Sequence, residues 1–386
     1  MYTTVMQTVF LAFGLTGDLM RQKGIPALFA LYTKGELPSP FSVVGFSRKP
    51  WSKDDVEAHV KEVLQASGEL PEKIEAFSKL FSVVQGDADT PESFDTLKER
   101  VGSPEQLVIY LCISPEFYAP TIEKLGEKGF LANGARILIE KPFGKSGEDA
   151  ASLEALLSKY AKEEQVYRID HYLAKVGALE LAILNKADIE GIGVYLLESI
   201  GVEARGAAYD AVGALRDVGQ NHLLEMLAIA SGAKNRADAL RTLPIMTQAE
   251  VAENTVRGQY VGYTQIDGVK PHSQIETYFK IKTSIASARG THIAVIIEGG
   301  KMLGSTKKEV SLTYTGGSTR SISLASRGNE YEKLFADAFS GNQELFVSMG
   351  EVEALWKFID PIVTEWEKGK VLLTSYEPGS GSIRGK

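Results

Sequence analysis

The chain has 386 residues, more than one ordinary domain of about 100–200 residues, so two domains are expected. Hydrophobic residues make up 44% and charged residues 24%, which excludes a disordered or collagen-like chain and provides for a sizeable core. The formal net charge of -8 offers no sequence-wide footprint for a nucleic acid or an anionic membrane, so neither is expected as a partner and any anion must be held locally.

The opening MYTTVMQTVFLAFG lacks a basic leader and cleavage site, and no apolar run approaches the roughly 18 residues of a membrane span. A cytoplasmic protein is expected. Residues 8–13 (TVFLAF) predict a buried strand, since β-branched and aromatic residues run unbroken up to a glycine. Gly14-Leu15-Thr16-Gly17-Asp18-Leu19 then turns into a helix with apolar residues at Leu19, Ile25, Leu28, Phe29 and Leu31, which Gly35 and Pro38 stop. Further strands follow at 41–46 (FSVVGF), around Val83 and Val84, at 107–112 (LVIYLC) and at 135–140 (ARILIE), with a helix around 116–129. This repeated order predicts a Rossmann-type doubly wound parallel sheet over residues 1–170. The single cysteine, Cys112, excludes an intramolecular disulfide framework and a Cys-clustered zinc site, suits a reducing compartment, and reads as a buried structural thiol. No metal site is expected.

The second half, 171–386, changes character. A long helical segment is predicted from about 210 to 231, and strands that alternate apolar with polar residues at 274–284, 291–299, 309–314 and 320–326, the last two joined by TGGST as a hairpin loop. Amphipathic helices around 328–340 and 349–368 close the chain. An α+β domain is expected, with a large, mostly antiparallel sheet covered by helices. The boundary near 170 rests on the change of pattern alone.

A glycine turn that opens a helix after a buried strand brings backbone N–H groups to a pyrophosphate, and the helix dipole favours the charge. Gly14 and Gly17 can supply that approach, although tight-turn glycines without a ligand explain them as well. At the end of the second strand an NAD site usually places an acid, whereas this chain reads Ser47-Arg48-Lys49. NADP is therefore expected over NAD, with Arg48 the grip on the 2′-phosphate and Thr16 an additional donor. A solvated pair of charges is the plain alternative.

Three segments crowd polar residues into apolar surroundings: IEKPFG (139–144), RIDHYLAK (168–175) and LRDVGQNHLLEML (215–227). Two of the five histidines, His171 and His222, fall in them beside Asp170 and Asp217. Histidine near carboxylates is the usual material of general acid/base work. His59, His272 and His292 lack such surroundings and read as structural or solvated. Asp217 and His222, five residues apart, would lie roughly 140° apart on an ideal helix and could not share a narrow stripe.

The blocks GLTGDL, EKPFG, DHYLAK and GVEARGAAYDAVGALRDVGQNHLL, with WKFIDPIV and YEPGSGS near the C-terminus, resemble the glucose-6-phosphate dehydrogenase family in a short form. The resemblance spans nearly the whole chain. It implies oxidation of C1 of glucose 6-phosphate, with hydride transfer to NADP and formation of the 6-phosphogluconolactone. By the same resemblance His222 is the general base and Asp170 orients it. His171, Tyr172 and Lys175 form the sugar-phosphate clamp, and if a helix starts at 171, His171 and Lys175 are i and i+4 neighbours at its N-terminus. Lys301 joins the sugar site, Asp217 and Glu198 hold glucose hydroxyls, and Lys141 contacts both substrate and cofactor. Gly14, Thr16, Gly17, Asp18, Leu19, Arg48 and Tyr110 are the implied cofactor positions.

Departures are visible too. DHYLGK reads DHYLAK, Val176 stands where glutamate is common, and Glu298 replaces an arginine upstream of Lys301, which removes one element of a second, structural NADP site. The chain is shorter than usual around 305–330, where the family continues its sheet and commonly dimerises. A homodimer through the C-terminal sheet is the corresponding expectation. The rival readings are a related NADP-dependent sugar or polyol oxidoreductase of the inositol-dehydrogenase type, and a catalytically silent protein that binds NADP or a sugar phosphate.

Overall fold

The computed structural model describes residues 7–383 other than 89, 288 and 382. Six segments rich in β-branched and aromatic residues form strands β1 (Thr8–Phe13), β2 (Phe41–Ser47), β3 (Phe81–Gln85), β4 (Gln106–Leu111), β5 (Arg136–Glu140) and β6 (Val166–Ile169). They pair in parallel in the order β6-β5-β4-β1-β2-β3. β1 is flanked by both β2 and β4, so the strand order reverses there, the point at which open α/β sheets bind ligands. Every residue of β1 is buried, as expected of a strand covered on both faces.

The second sheet begins with β7 (Ile189–Leu197) and continues with β8 (Thr255–Tyr260), β9 (Tyr278–Ala286), β10 (His292–Gly300), β11 (Lys307–Tyr314) and β12 (Thr319–Ser323). β9 starts later than its sequence pattern, at Tyr278; Glu276 accepts the Ala214 N–H instead of a strand partner, while Thr277 still donates to the Gly258 carbonyl of β8. The TGGST loop turns β11 into β12 with Gly316 and Gly317 at φ +90° and +83°, conformations that suit glycine.

The chain then returns to the first sheet. β13 (Phe346–Val347) pairs antiparallel with β6, and β14 (Leu373–Tyr376) pairs in parallel with β8. The second sheet has the order β12-β11-β7-β10-β9-β8-β14, with only β10–β7 and β14–β8 parallel.

Contacts divide the chain into two compact units, residues 1–144, 148–174 and 328–349 in the first, and 145–147, 175–327 and 350–386 in the second. Pattern change placed 328–349 with the substrate half, but its helix Glu330–Ser340 packs in the first unit. Phe335 meets the ring of Phe10 at 5.2 Å and that of Tyr110 at 5.4 Å. Arg136 donates to the carbonyls of Ala338 and Phe339 at 2.7 and 2.8 Å, placing a cation on the negative end of that helix. No helix among the described residues is long and apolar enough to cross a membrane.

Candidate active site

In the first unit a cavity of about 670 Å³ opens where the strand order reverses. Gly14 sits at φ +82° with its would-be Cβ 2.2 Å from the Cys112 carbonyl oxygen, so only glycine fits. Gly17 donates to the Gly14 carbonyl at 2.9 Å, and the helix that follows opens with a π-helical stretch, Met20–Gly24. Gly14, Thr16, Leu19, Arg48, Lys141 and His171 line the cavity, while Gly17, Asp18 and Tyr110 stand outside the lining. Arg48 lies over the ring of Phe117 at 5.8 Å. Thr121 Oγ1 is buried without a partner at the cavity wall. A glycine cradle, a cavity within the roughly 300–1,000 Å³ range of ligand pockets and an arginine after β2 fit a dinucleotide.

Tyr110 is fully buried and donates to Glu140 Oε1 at 2.7 Å, while Tyr118 donates to the Glu140 backbone carbonyl at 2.9 Å. Glu140, at the end of β5, was not singled out by sequence reasoning. Burial pushes its carboxyl up to about 7, against the opposing pull of the Tyr110 and Tyr331 hydroxyls and of Lys141. Because the folded protein holds this proton more tightly than the unfolded chain, stability falls as pH rises from the ordinary carboxylate range through about 7. Glu140→Gln should therefore stabilise the cofactor-free protein at pH 8, by up to about 3 kcal/mol and seen as a higher thermal midpoint, and leave the midpoint nearly unchanged at pH 4. Equal shifts at both pH values in calorimetry would contradict this account. Cys112, expected to be buried, is half-buried at the cavity wall, and desolvation pushes its thiol up to about 12.

The predicted helix start at His171 is not what forms. Asp170 Oδ1 accepts the Tyr172 N–H at 2.9 Å and its carbonyl accepts the Leu173 N–H at 3.0 Å, which makes residues 170–173 a turn. Lys175 is extended (φ -67°, ψ 144°) and precedes the helix Val176–Ile183. His171 and Lys175 are therefore not helical i, i+4 neighbours. Tyr172 is buried beside His171, with ring centroids 5.1 Å apart.

In the second unit Lys175 is 4% exposed, its Nζ bonded to Ser326 Oγ at 2.6 Å. The predicted helix over 210–231 is broken at Gly213 (φ +76°) and resumes as a π-helical stretch, Leu215–Leu223, that runs into Leu224–Ala230. Leu224 donates to the Gly219 carbonyl, five residues back. An i→i+5 ladder carries more residues per turn than an ordinary helix, so it narrows the wide angle that an ordinary helix would put between Asp217 and His222. Asn221 makes this turn tenable: its side-chain amide donates to the carbonyls of Arg216 and Asp217 at 3.1 and 3.2 Å. π-Helical turns concentrate at functional sites. His222 is 3% exposed, and Asp217 lies 3.6 Å from the Arg205 guanidinium.

Glu198, just past β7, accepts from Lys301 Nζ and from Lys308 Nζ, each at 2.6 Å. Burial alone would raise its carboxyl, but the two lysines outweigh it and hold the group below the ordinary carboxylate range. Lys301 Nζ also lies 5.8 Å from the Tyr209 ring centre. Lys308 was missed, yet strand parity points to it, because Lys308 falls on the same face of β11 as the buried Val310 and Leu312. Where the sequence has Glu298 for arginine, the carboxylate is buried and accepts from Tyr278 Oη at 2.7 Å.

A parallel sheet with a glycine turn at its reversal point, in a chain that also carries a histidine and a carboxylate on one widened helical turn of an antiparallel-sheet unit, defines a nicotinamide-dinucleotide oxidoreductase. The family model described as "Glucose-6-phosphate dehydrogenase, NAD binding domain" matches residues 11–177, and "Glucose-6-phosphate dehydrogenase, C-terminal domain" matches residues 178–324 and 318–383. The glucose-6-phosphate 1-dehydrogenase of Rhizobium meliloti (strain 1021) is 28% identical over 458 residues, covering 96% of this chain and 93% of that protein. Among solved structures, glucose-6-phosphate 1-dehydrogenase from Mycobacterium avium superposes with a TM-score of 0.82 at 28% identity, over 97% of this chain and 94% of that one. A glucose-6-phosphate dehydrogenase in complex with its substrate glucose-6-phosphate superposes with a TM-score of 0.85 at 25% identity, over 98% and 96%. The chain belongs to the glucose-6-phosphate dehydrogenase family, oxidoreductases that act on a CH–OH group. The C-terminal match is made in two pieces that overlap over residues 318–324.

Proposed function

We propose that this protein oxidises C1 of D-glucose 6-phosphate to 6-phospho-D-glucono-1,5-lactone with NADP as acceptor, in the cytoplasm. The observation that carries the reading is the match of both family models over the chain, with His222 and Asp217 in one π-helical stretch. The nicotinamide, when bound, accepts the hydride that leaves C1. His222 takes the C1 hydroxyl proton, which requires a neutral imidazole, and Asp170 orients that ring and steadies its protonated form. Asp217 and Glu198 accept hydrogen bonds from the sugar hydroxyls, with Lys301 beside Glu198. Lys175, His171 and Tyr172 bind the phosphate, and Lys141 serves substrate and cofactor. Gly14, Gly17 and the residues of their turn receive the pyrophosphate, and the first unit holds the cofactor. The family resemblance adds a homodimer through the C-terminal sheet.

Absorbance at the reduced-nicotinamide band tests the reading, with glucose 6-phosphate and NADP run beside free glucose and beside NAD. Reduction with the phosphorylated sugar is expected, and faster turnover of the free sugar would transfer the protein to the polyol-oxidoreductase reading. Arg48 carries the cofactor preference, because a cation after β2 attracts the 2′-phosphate where an acid would favour the ribose hydroxyls. Arg48→Ala should narrow the kcat/KM ratio of NADP to NAD by about tenfold or more, the scale of one lost charge-assisted hydrogen bond. An unchanged ratio would remove Arg48 from 2′-phosphate recognition.

A further inference from the structure

Glu276 lies two residues before β9 and is 6% exposed. Its Oε1 accepts the Leu215 N–H at 2.9 Å and its backbone carbonyl accepts the Ala214 N–H at 3.0 Å. One residue thus receives donors at the opening of the widened helix, where the helix dipole also favours a carboxylate. Gly213 is packed over that carboxylate, since a Cβ there would lie 2.4 Å from Oε1. The next residue, Thr277, faces the other way. Its carbonyl accepts the Lys301 N–H at 3.0 Å, and Tyr376 Oη lies 2.9 Å from its Oγ1 while donating to the Lys301 carbonyl at 2.7 Å. Residues 276–277 therefore join the start of the helix that carries Asp217 and His222 to the strand end that carries Lys301, the partner of Glu198.

We infer that Glu276 is a positioning residue for the sugar site: by accepting the Leu215 N–H it sets the π-helical turn of Asp217 and His222 against the Lys301–Glu198 pair, without touching substrate. The inference rests on the proposed glucose 6-phosphate reading. An acceptor at Oε1 is what the geometry requires, and a neutral carboxamide offers the same atom. Burial raises the Glu276 carboxyl, and the Leu215 N–H and the charges of Arg216 and Arg257 only partly offset this, so loss of the charge is a mild change. A cavity of about 230 Å³ bordered by Glu276, Arg216, Arg257 and Trp366 leaves room for a leucine.

The test compares Glu276→Gln with Glu276→Leu in the intact protein. Glu276→Gln should keep kcat and the KM for glucose 6-phosphate within about threefold of the parent. Glu276→Leu, which strands a buried N–H, should lower kcat/KM for the sugar by about tenfold or more, displace the acidic limb of the kcat–pH profile that reports the base, and leave the Kd for NADP unchanged. Loss of overall stability alone would not move that limb. Parent-like kinetics in Glu276→Leu would overturn the inference, as would equal damage in Glu276→Gln. If Glu276→Leu cannot be purified, Gly213→Ala, which presses on the same carboxylate without removing it, must show the same loss in kcat/KM at constant NADP affinity, and parent-like kinetics there would overturn it. An unmodified protein that fails to reduce NADP with glucose 6-phosphate would instead defeat the proposed function itself.

Discussion

His222→Asn is expected to lower kcat by about 100- to 10,000-fold, the usual contribution of a positioned general base, with the KM for glucose 6-phosphate changed by less than about threefold. Asparagine keeps a polar planar group of similar reach at a position that is 3% exposed, so the packing of the widened turn survives. It cannot take the C1 hydroxyl proton near neutral pH, and the substrate contacts proposed for Asp217, Glu198 and Lys301 are left in place. The imprint is a loss in kcat with affinity intact, measured from initial rates of NADP reduction. Near-parent kcat would remove His222 from the mechanism, whereas a parallel rise in KM would assign it to binding.

The second large effect falls on binding. Lys175→Ala should raise the KM for glucose 6-phosphate by about 100-fold or more, since a buried ammonium on a phosphate makes charge-assisted bonds of about 1.5–3 kcal/mol each. The KM for NADP should stay within about twofold. Lys175 is held by Ser326 Oγ at 2.6 Å and precedes the helix Val176–Ile183 in an extended conformation. Its ammonium is therefore preorganised, and a substrate phosphate need not pay to order it. With free glucose as substrate the variant and the parent should differ little, which separates loss of the phosphate grip from general damage. Equal losses for sugar phosphate and NADP would contradict the clamp.

Much of this protein is legible in one dimension because its signals are local. Unbroken apolar runs before glycine turns announce the parallel strands, and a strand buried on both faces has no choice but to be apolar throughout. The Gly14 turn is likewise local: its φ of +82° and its approach to the Cys112 carbonyl demand glycine whatever follows. Motif order identified the family for the same reason, since each block is read from neighbours along the chain. Strand parity, applied to Lys308, would have added a residue that motif reading passed over.

Other features answered to partners far away in sequence. Residues 328–349 show the pattern of any amphipathic helix and strand, and their place in the first unit depends on Phe10, Tyr110 and Arg136. The turn at 170–173 wins over a helix because the Asp170 carboxylate and carbonyl capture the next N–H groups. On a regular helix Asp217 and His222 diverge; in this protein they lie in a π-helical ladder whose polar groups Asn221 and Glu276 partner. Neighbours along the chain suffice for nine of the strands, the glycine turn and the residue types of the chemistry, whereas β6, β7, β8, β13 and β14 were not foreseen. The helical register and the state of the buried carboxyls depend on contacts through space, because a hydrogen-bond partner or an opposing charge reaches those groups from residues as distant as Glu276 is from Leu215 and Lys308 is from Glu198.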